Sequence, residues 1–179
     1  MLNNSKLQSS MKQLTIFRVL SFLLVPIAIL FAIMDIFLFI MALSANPALL
    51  LIAFAMACFV IYVFASLKFL MSNIDQQKSS STSLKDWIKV NAYGSLFISV
   101  LFLMNSSAAF FISDINLRQI ISEMMEQQPE ISGKFSLDVF IKMFRVVSSI
   151  MFCVSAITIT HILIQFKLLK RYDYLFNKA

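Results

Sequence analysis

The chain has 179 residues, 60% of them hydrophobic and 13% charged, with a formal net charge of +6 and a mean hydropathy of +0.85. That composition excludes a disordered chain and argues against a water-soluble domain. The positive charge does not point to nucleic acid, because the basic residues flank long apolar runs, as the topology signals of membrane proteins do.

Residues 1–18 are polar, with Leu7, Met11 and Leu14 at helical spacing and Lys6, Lys12 and Arg18 around them. This pattern predicts a short helix lying at a membrane interface. An apolar run over residues 20–45 follows, with Asp35 its single charge. A helix rises about 1.5 Å per residue, so ~20 residues cross a hydrocarbon core of roughly 30 Å. The first span is therefore predicted over about 20–43. The run is too long for the core of a signal peptide and contains a carboxylate, so a cleaved leader is not expected. A carboxylate at membrane depth is expensive and normally faces the protein interior. Ser21, Ala28, Ala32, Asp35 and Ala42 fall on one helical face, opposite Phe22, Leu23, Ile27, Leu30, Phe37 and Ile40. Small residues admit a neighbouring helix and bulky ones suit lipid, so Asp35 is expected to turn toward its partners. Pro26 is expected to kink the helix or loosen one of its backbone bonds.

Residues 44–47 read as a tight turn, with Asn46 as N-cap and Pro47 as the first helical residue. The second span is predicted over about 47–71, with Ala48, Ala55, Cys58, Tyr62 and Ala65 on its small face. So short a turn makes the first two helices an antiparallel hairpin. Cys58 and Cys153 both fall within predicted spans and neither belongs to a CxxC pair, so both are expected to be buried packing residues.

A serine-rich loop over 72–83 leads to Ser83 and Asp86, spaced as a capping box. Lys85, Trp87, Lys89 and Tyr93 mark a membrane interface. The third span is predicted over about 87–113, with Ala92, Ser95, Ser99, Phe102, Ser106, Ala109 and Ser113 forming one small-residue seam. Over about 115–128, Leu117, Ile120, Ile121, Met124 and Met125 recur at helical spacing among charged residues, which predicts an amphipathic helix. A loop over 129–135 containing Gly133 leads to Ser136, the expected N-cap of a fourth helix. That helix carries an apolar span over about 146–166 and continues into the basic C-terminus. Arg145, Ser149, Cys153, Ala156 and Thr160 share one of its faces, and Thr158, His161 and Gln165 form a second polar stripe.

The fold class expected is an all-α integral membrane protein, a single domain of four transmembrane helices in two antiparallel hairpins. The amphipathic helix between the third and fourth spans is expected to be extracytoplasmic. Most of the basic residues fall on one side: Lys6, Lys12 and Arg18, then Lys68, Lys78, Lys85 and Lys89, then Lys167, Lys170, Arg171 and Lys178. The other side keeps Arg118, Lys134, Lys142 and Arg145. Excess Lys and Arg mark the cytoplasmic face, which places both termini inside. The plasma membrane, of bacterial inner-membrane type, is the expected location.

Two sets of residues could carry chemistry. Helical rise puts Asp35 ~22 Å from the inner edge and Asn105 at a similar height. Asp35, Asn105, Ser106, Ser149 and Arg145 are therefore expected to form an intramembrane polar cluster, with Arg145 reaching down to Asp35. Such a cluster either locks the helices or serves as a proton or cation site. His161, the only histidine, is too far from Asp35 to pair with it and is expected to bond with Thr158, Gln165 or Asn91. One histidine without nearby Cys, Asp or Glu is a weak metal signal. No P-loop, GxSxG, HExxH or GxGxxG motif is present. The reading is a non-enzymatic membrane protein without cofactor or metal, a subunit or scaffold whose partners are the bilayer and a membrane protein or a second copy. The alternative is a small oligomeric transporter or channel using Asp35. An enzyme acting on lipid or quinone would have only His161 and Arg145 to work with.

Overall fold

A computed structural model of the chain describes residues 2–126 and 136–176. Among the described residues the chain forms five α-helices: α1 Leu2–Ser44, α2 Leu49–Lys68, α3 Thr82–Phe111, α4 Asp114–Glu126 and α5 Leu137–Arg171. Four segments are long and apolar enough to cross a membrane: Met11–Ser44, Leu49–Asp75, Thr82–Phe111 and Leu137–Arg171. α4 is the short amphipathic helix, with Leu117 and Ile121 buried. The expected loop over 129–135 lies outside the described residues.

Several local expectations are corrected. The N-terminal stretch is not a separate interfacial helix but the start of α1, which runs unbroken for 43 residues. Pro26 lies inside α1 without ending it. Proline removes one backbone donor, a loss that long helices embedded among neighbours tolerate. α2 begins at Leu49, two residues later than expected. The Asn46 carboxamide does act at this corner, accepting from the Ala48 N–H at 3.0 Å. α2 then passes into a π-helical segment, Phe69–Asp75. The wider turn of a π-helix carries no simple sequence signature. Gln77, at φ 52°, redirects the chain beyond it. α3 stops at Phe111, and Ser113, expected within the third span, instead accepts at 3.3 Å from the N–H of Asn116 and caps α4. α5 ends at Arg171, and a 3-10 turn, Asp173–Leu175, replaces the expected helical continuation.

The packing divides the chain into two units, residues 1–98 with 157–179 and residues 99–156. In the first unit, α1 and α2 are joined at 45–48 and pack together. Its core draws Phe17, Leu24 and Ala28 from α1, Phe59, Tyr62 and Val63 from α2, and Ile88 and Ala92 from α3. Ile162, Leu168 and Leu169 come from α5. Ser21, Ala28 and Ala42 are buried, while Phe22, Leu23, Leu30, Phe37 and Ile40 are exposed, so α1 presents its small face inward. Gly94 on α3 approaches Cys58 on α2 so closely that a Cβ there would stand 3.0 Å from the cysteine Cβ and Sγ. The absence of a side chain at Gly94 lets the two helices approach closely here.

One end of this unit is closed by the chain beyond α5. Phe176 stacks on Phe69 with ring centroids 5.6 Å apart, and Lys85 lies over the Phe176 ring. Lys85 also pairs with Asp173, and the Ser80 N–H donates to the Leu175 carbonyl at 2.9 Å. Beside it, Arg18 on α1 meets Asp75 at 2.6 Å.

In the second unit, α4 is tied to the first turns of α5 by two ion pairs of opposite sense. Arg118 of α4 meets Asp138 of α5 at 2.7 Å, and Arg145 of α5 pairs with Asp114 of α4. Beside these pairs, Leu117, Ile121, Met124, Phe140, Met143 and Phe144 line part of an apolar cavity of about 400 Å³. Phe110 and Phe152 meet edge to face at 5.6 Å.

Candidate functional site

The sequence offers two sets of polar residues. In the first unit, Asp35 lines a groove of about 510 Å³ between α1 and α2, with Ile36, Phe39, Leu50, Ala53 and Phe54. Its Oδ1 is buried and has no hydrogen-bond partner. The other four members of the expected cluster lie in the second unit. There Ser149 Oγ donates to the Arg145 carbonyl at 2.8 Å, Ser106 is buried and Asn105 is exposed. The Arg145 guanidinium expected near Asp35 is engaged by Asp114 within its own unit.

The second set condenses into a buried network. Thr158, His161 and Gln165 are all buried along α5. Cys153, expected to be a buried packing residue, is exposed instead, as is Thr160 on the face it shares with Arg145, Ser149 and Ala156. Cys58 is the buried cysteine of the two. His161 stacks on Phe17 at a centroid distance of 4.5 Å and an interplanar angle of 12°. Its Nδ1 lies 2.7 Å from the Tyr62 hydroxyl and its Nε2 lies 2.8 Å from Ser21 Oγ. Both ring nitrogens thus meet residues of α1 and α2, where spacing had suggested Thr158, Gln165 or Asn91. One turn further, Ser66 Oγ donates to Gln165 Oε1 at 2.7 Å, while Gln165 Nε2 is buried without a partner. Asn91 donates back to the Trp87 carbonyl on its own helix.

Hydrogen counting fixes the direction of the network. A serine hydroxyl has one proton, and Ser21 Oγ donates it to the Phe17 carbonyl at 2.8 Å. The contact with His161 is then Nε2–H donating to Ser21 Oγ. Nδ1 is left as the acceptor for the Tyr62 hydroxyl. Every proton in this assignment, Tyr62 to His161 to Ser21 to Phe17, is used once; it is inferred from the network, not observed.

A hydroxyl, an imidazole and a third oriented group in line is also how an activated nucleophile is built. In this assignment Nε2 carries the proton and has no lone pair to take one from Ser21. Ser21, Tyr62 and His161 are also only 2%, 0% and 1% exposed, which leaves no room for a substrate at the serine. As bonded, the three residues tie α1, α2 and α5 together. A hydrogen bond between membrane helices is worth ~0.6 kcal/mol on average, and a fully satisfied set adds specificity of register to that modest energy.

Sequence reasoning singled out His161 but missed Ser21 and Tyr62 as its partners. The signal was the length of the helices. Ser21 lies ten residues inside Met11 and His161 ten inside Arg171, the ends of the first and last membrane-capable segments, so both stand ~15 Å from those ends. Starting the count at Leu20 and Phe166 hid that match.

No protein-family model matches the chain, and no curated protein and no solved structure is significantly similar to it.

Proposed function

We propose that the chain is a multi-pass protein of the plasma membrane that acts, without catalysis, as a subunit or scaffold through helix–helix and partner contacts. The observation that carries this reading is the self-contained Ser21–Tyr62–His161 network. The groups with catalytic potential are buried and bonded to one another. By contrast, the part of α1 beyond Ala28 is exposed and apolar at Ile33, Ile36, Phe37 and Ile40. Such a surface suits lipid or another helix.

In this proposal α1–α2 and α3–α5 form two antiparallel hairpins, both termini are cytoplasmic and α4 lies on the outer surface. The excess of Lys and Arg near residues 1–18, 68–89 and 167–178 supports that orientation. The membrane of a bacterial cell is the simplest setting for it.

The test is native mass spectrometry of the protein extracted in mild detergent from its own cells. The proposal expects a complex of fixed stoichiometry, either with a second membrane protein or between copies. A lone monomer, together with substrate turnover that is lost in Ser21→Ala, would overturn it.

A further inference from the structure

Two contacts set the register of α3 against α5 in the first unit. The Tyr93 and Phe166 rings lie 5.4 Å apart, and Lys85 pairs with Asp173, just beyond the end of α5. The two helices therefore run antiparallel here. Lys89 stands midway between Lys85 and Tyr93, four residues from each. Lys170 lies four residues after Phe166 and three before Asp173. Residues three or four apart share a helix face, so the two contacts bracket Lys89 and Lys170 and place them opposite one another on the facing sides of α3 and α5. All six residues belong to the first unit, so the register is internal to it.

This register brings two positive charges together without a counter-charge from the chain. Asp173 is engaged by Lys85, and Asp75 by Arg18. Among the described residues neither Lys89 nor Lys170 takes part in an ion pair, and none joins Lys89 to Asp86, one turn before it on α3. Facing like charges repel, and an anion between them turns repulsion into attraction. The level of the pair says which anion. From Val90 to Phe111 α3 carries no acid, lysine or arginine, and neither does α5 from Val146 to Phe166. The lysines thus stand at the edge of the apolar spans, with Tyr93 and Phe166 one turn, ~6 Å, to the apolar side. Aromatic rings and lysines at such an edge meet lipid headgroups, and the cytoplasmic leaflet is the one rich in anionic lipid.

We infer that Lys89 and Lys170 form a binding site for the headgroup phosphate of an anionic phospholipid in the inner leaflet, with the Tyr93–Phe166 ring pair against the start of its acyl chains. Each ammonium offers donors to the phosphate oxygens and cancels part of its charge. A lipid is favoured over a soluble anion because the ring pair gives the site an apolar side where the chains begin.

The inference rests on the proposed function, which puts this end of the helices at the inner leaflet. Its test uses the full-length protein in nanodiscs of equal parts phosphatidylglycerol and phosphatidylcholine. Native mass spectrometry of the released protein should show phosphatidylglycerol retained in preference. Lys89→Gln and Lys170→Gln should each cut that preference about fivefold, as loss of one lysine–headgroup attraction implies. Lys12→Gln with Lys78→Gln removes as much charge as the two together and should retain it. Phosphatidylglycerol should also raise the thermal stability of the native chain over that in phosphatidylcholine alone, and do so far less in the Lys89→Gln, Lys170→Gln variant. A measurement on the unaltered chain guards against misfolding of the variants. Trp87, its only tryptophan, lies two residues from Lys89. Phosphatidylglycerol with brominated chains should quench it more than equally brominated phosphatidylcholine at the same fraction. No preference for phosphatidylglycerol, a preference that both lysine substitutions leave intact, a stability gain that inorganic phosphate reproduces, or equal quenching by the two lipids overturns the inference. If a complex of fixed stoichiometry forms all the same, the proposed function survives without it. If the chain does not enter lipid at all, both fall.

Discussion

Ser21 and His161 stand 140 residues apart in the chain and meet at 2.8 Å in the interior of the first unit. With Tyr62 on the other ring nitrogen, they join the first, second and last membrane-capable helices through one imidazole. The bonds are individually weak for groups that have already left water. Their value is that no other register of the three helices satisfies all of them.

His161→Leu should therefore destabilise the protein by about 1–3 kcal/mol, because it strands the Tyr62 hydroxyl in the core and removes the stack on Phe17. Tyr62→Phe should cost about 1 kcal/mol, since only the Nδ1 acceptor is left unmet. Reversible unfolding in mixed micelles measures both. No loss of stability in either variant would contradict the structural role given to the network.

Gly94→Ala should be more damaging than a single methyl suggests. The new Cβ would stand 3.0 Å from both Cys58 Cβ and Sγ, so the Cys58 side chain or the two helices must give by a few tenths of an ångström. Overpacking of this kind costs about 1–3 kcal/mol. Cys58→Gly in the same chain should recover part of the loss, which a double-mutant cycle by thermal denaturation would register.

The closure beyond α5 separates charge from packing. The Lys85–Asp173 pair is partly solvated, so Asp173→Asn should cost under about 1 kcal/mol and less in high salt. Phe176 is 1% exposed against Phe69, and Phe176→Ala should cost about 3 kcal/mol or more. Limited proteolysis of the C-terminus should accelerate in the second variant and not in the first.

The two ion pairs between α4 and α5 have opposite polarity, which makes a charge exchange informative. Asp114→Arg should loosen α4 by opposing Arg145. Asp114→Arg with Arg145→Asp should restore it. Hydrogen exchange at the amides of α4 reports the change, and exchange that is unaltered in the single variant would mean that apolar contact at Leu117 and Ile121 alone holds the helix.

The long apolar helices were legible because hydropathy and length are summed over many residues. The inward face of α1 was legible in part: Ser21, Ala28 and Ala42 are buried as their spacing implied, but the bulky Phe17 and Leu24 are buried with them and Ile27, expected on the outer face, packs against the core. α5 was harder. Two stripes of small and polar residues lie side by side on it, and only packing decides that His161 and Gln165 turn inward while Cys153 turns outward. The cap supplied by Ser113 rests on a single hydrogen bond, and the π-helical segment after Lys68 on a local widening of the turn, neither of which periodicity registers. The partners of His161 come from helices more than ninety residues away in sequence, so no local pattern could name them.

Four helices crossing a bilayer with both termini inside is the premise on which the proposed function rests. Single cysteines at Lys12→Cys, Ser79→Cys and Gln119→Cys, with Cys58→Ala and Cys153→Ala, can be probed with a membrane-impermeant maleimide on intact cells. The account predicts labelling at position 119 alone, with positions 12 and 79 reacting only after permeabilisation. Labelling of 12 or 79 in intact cells, or protection of 119, would contradict it.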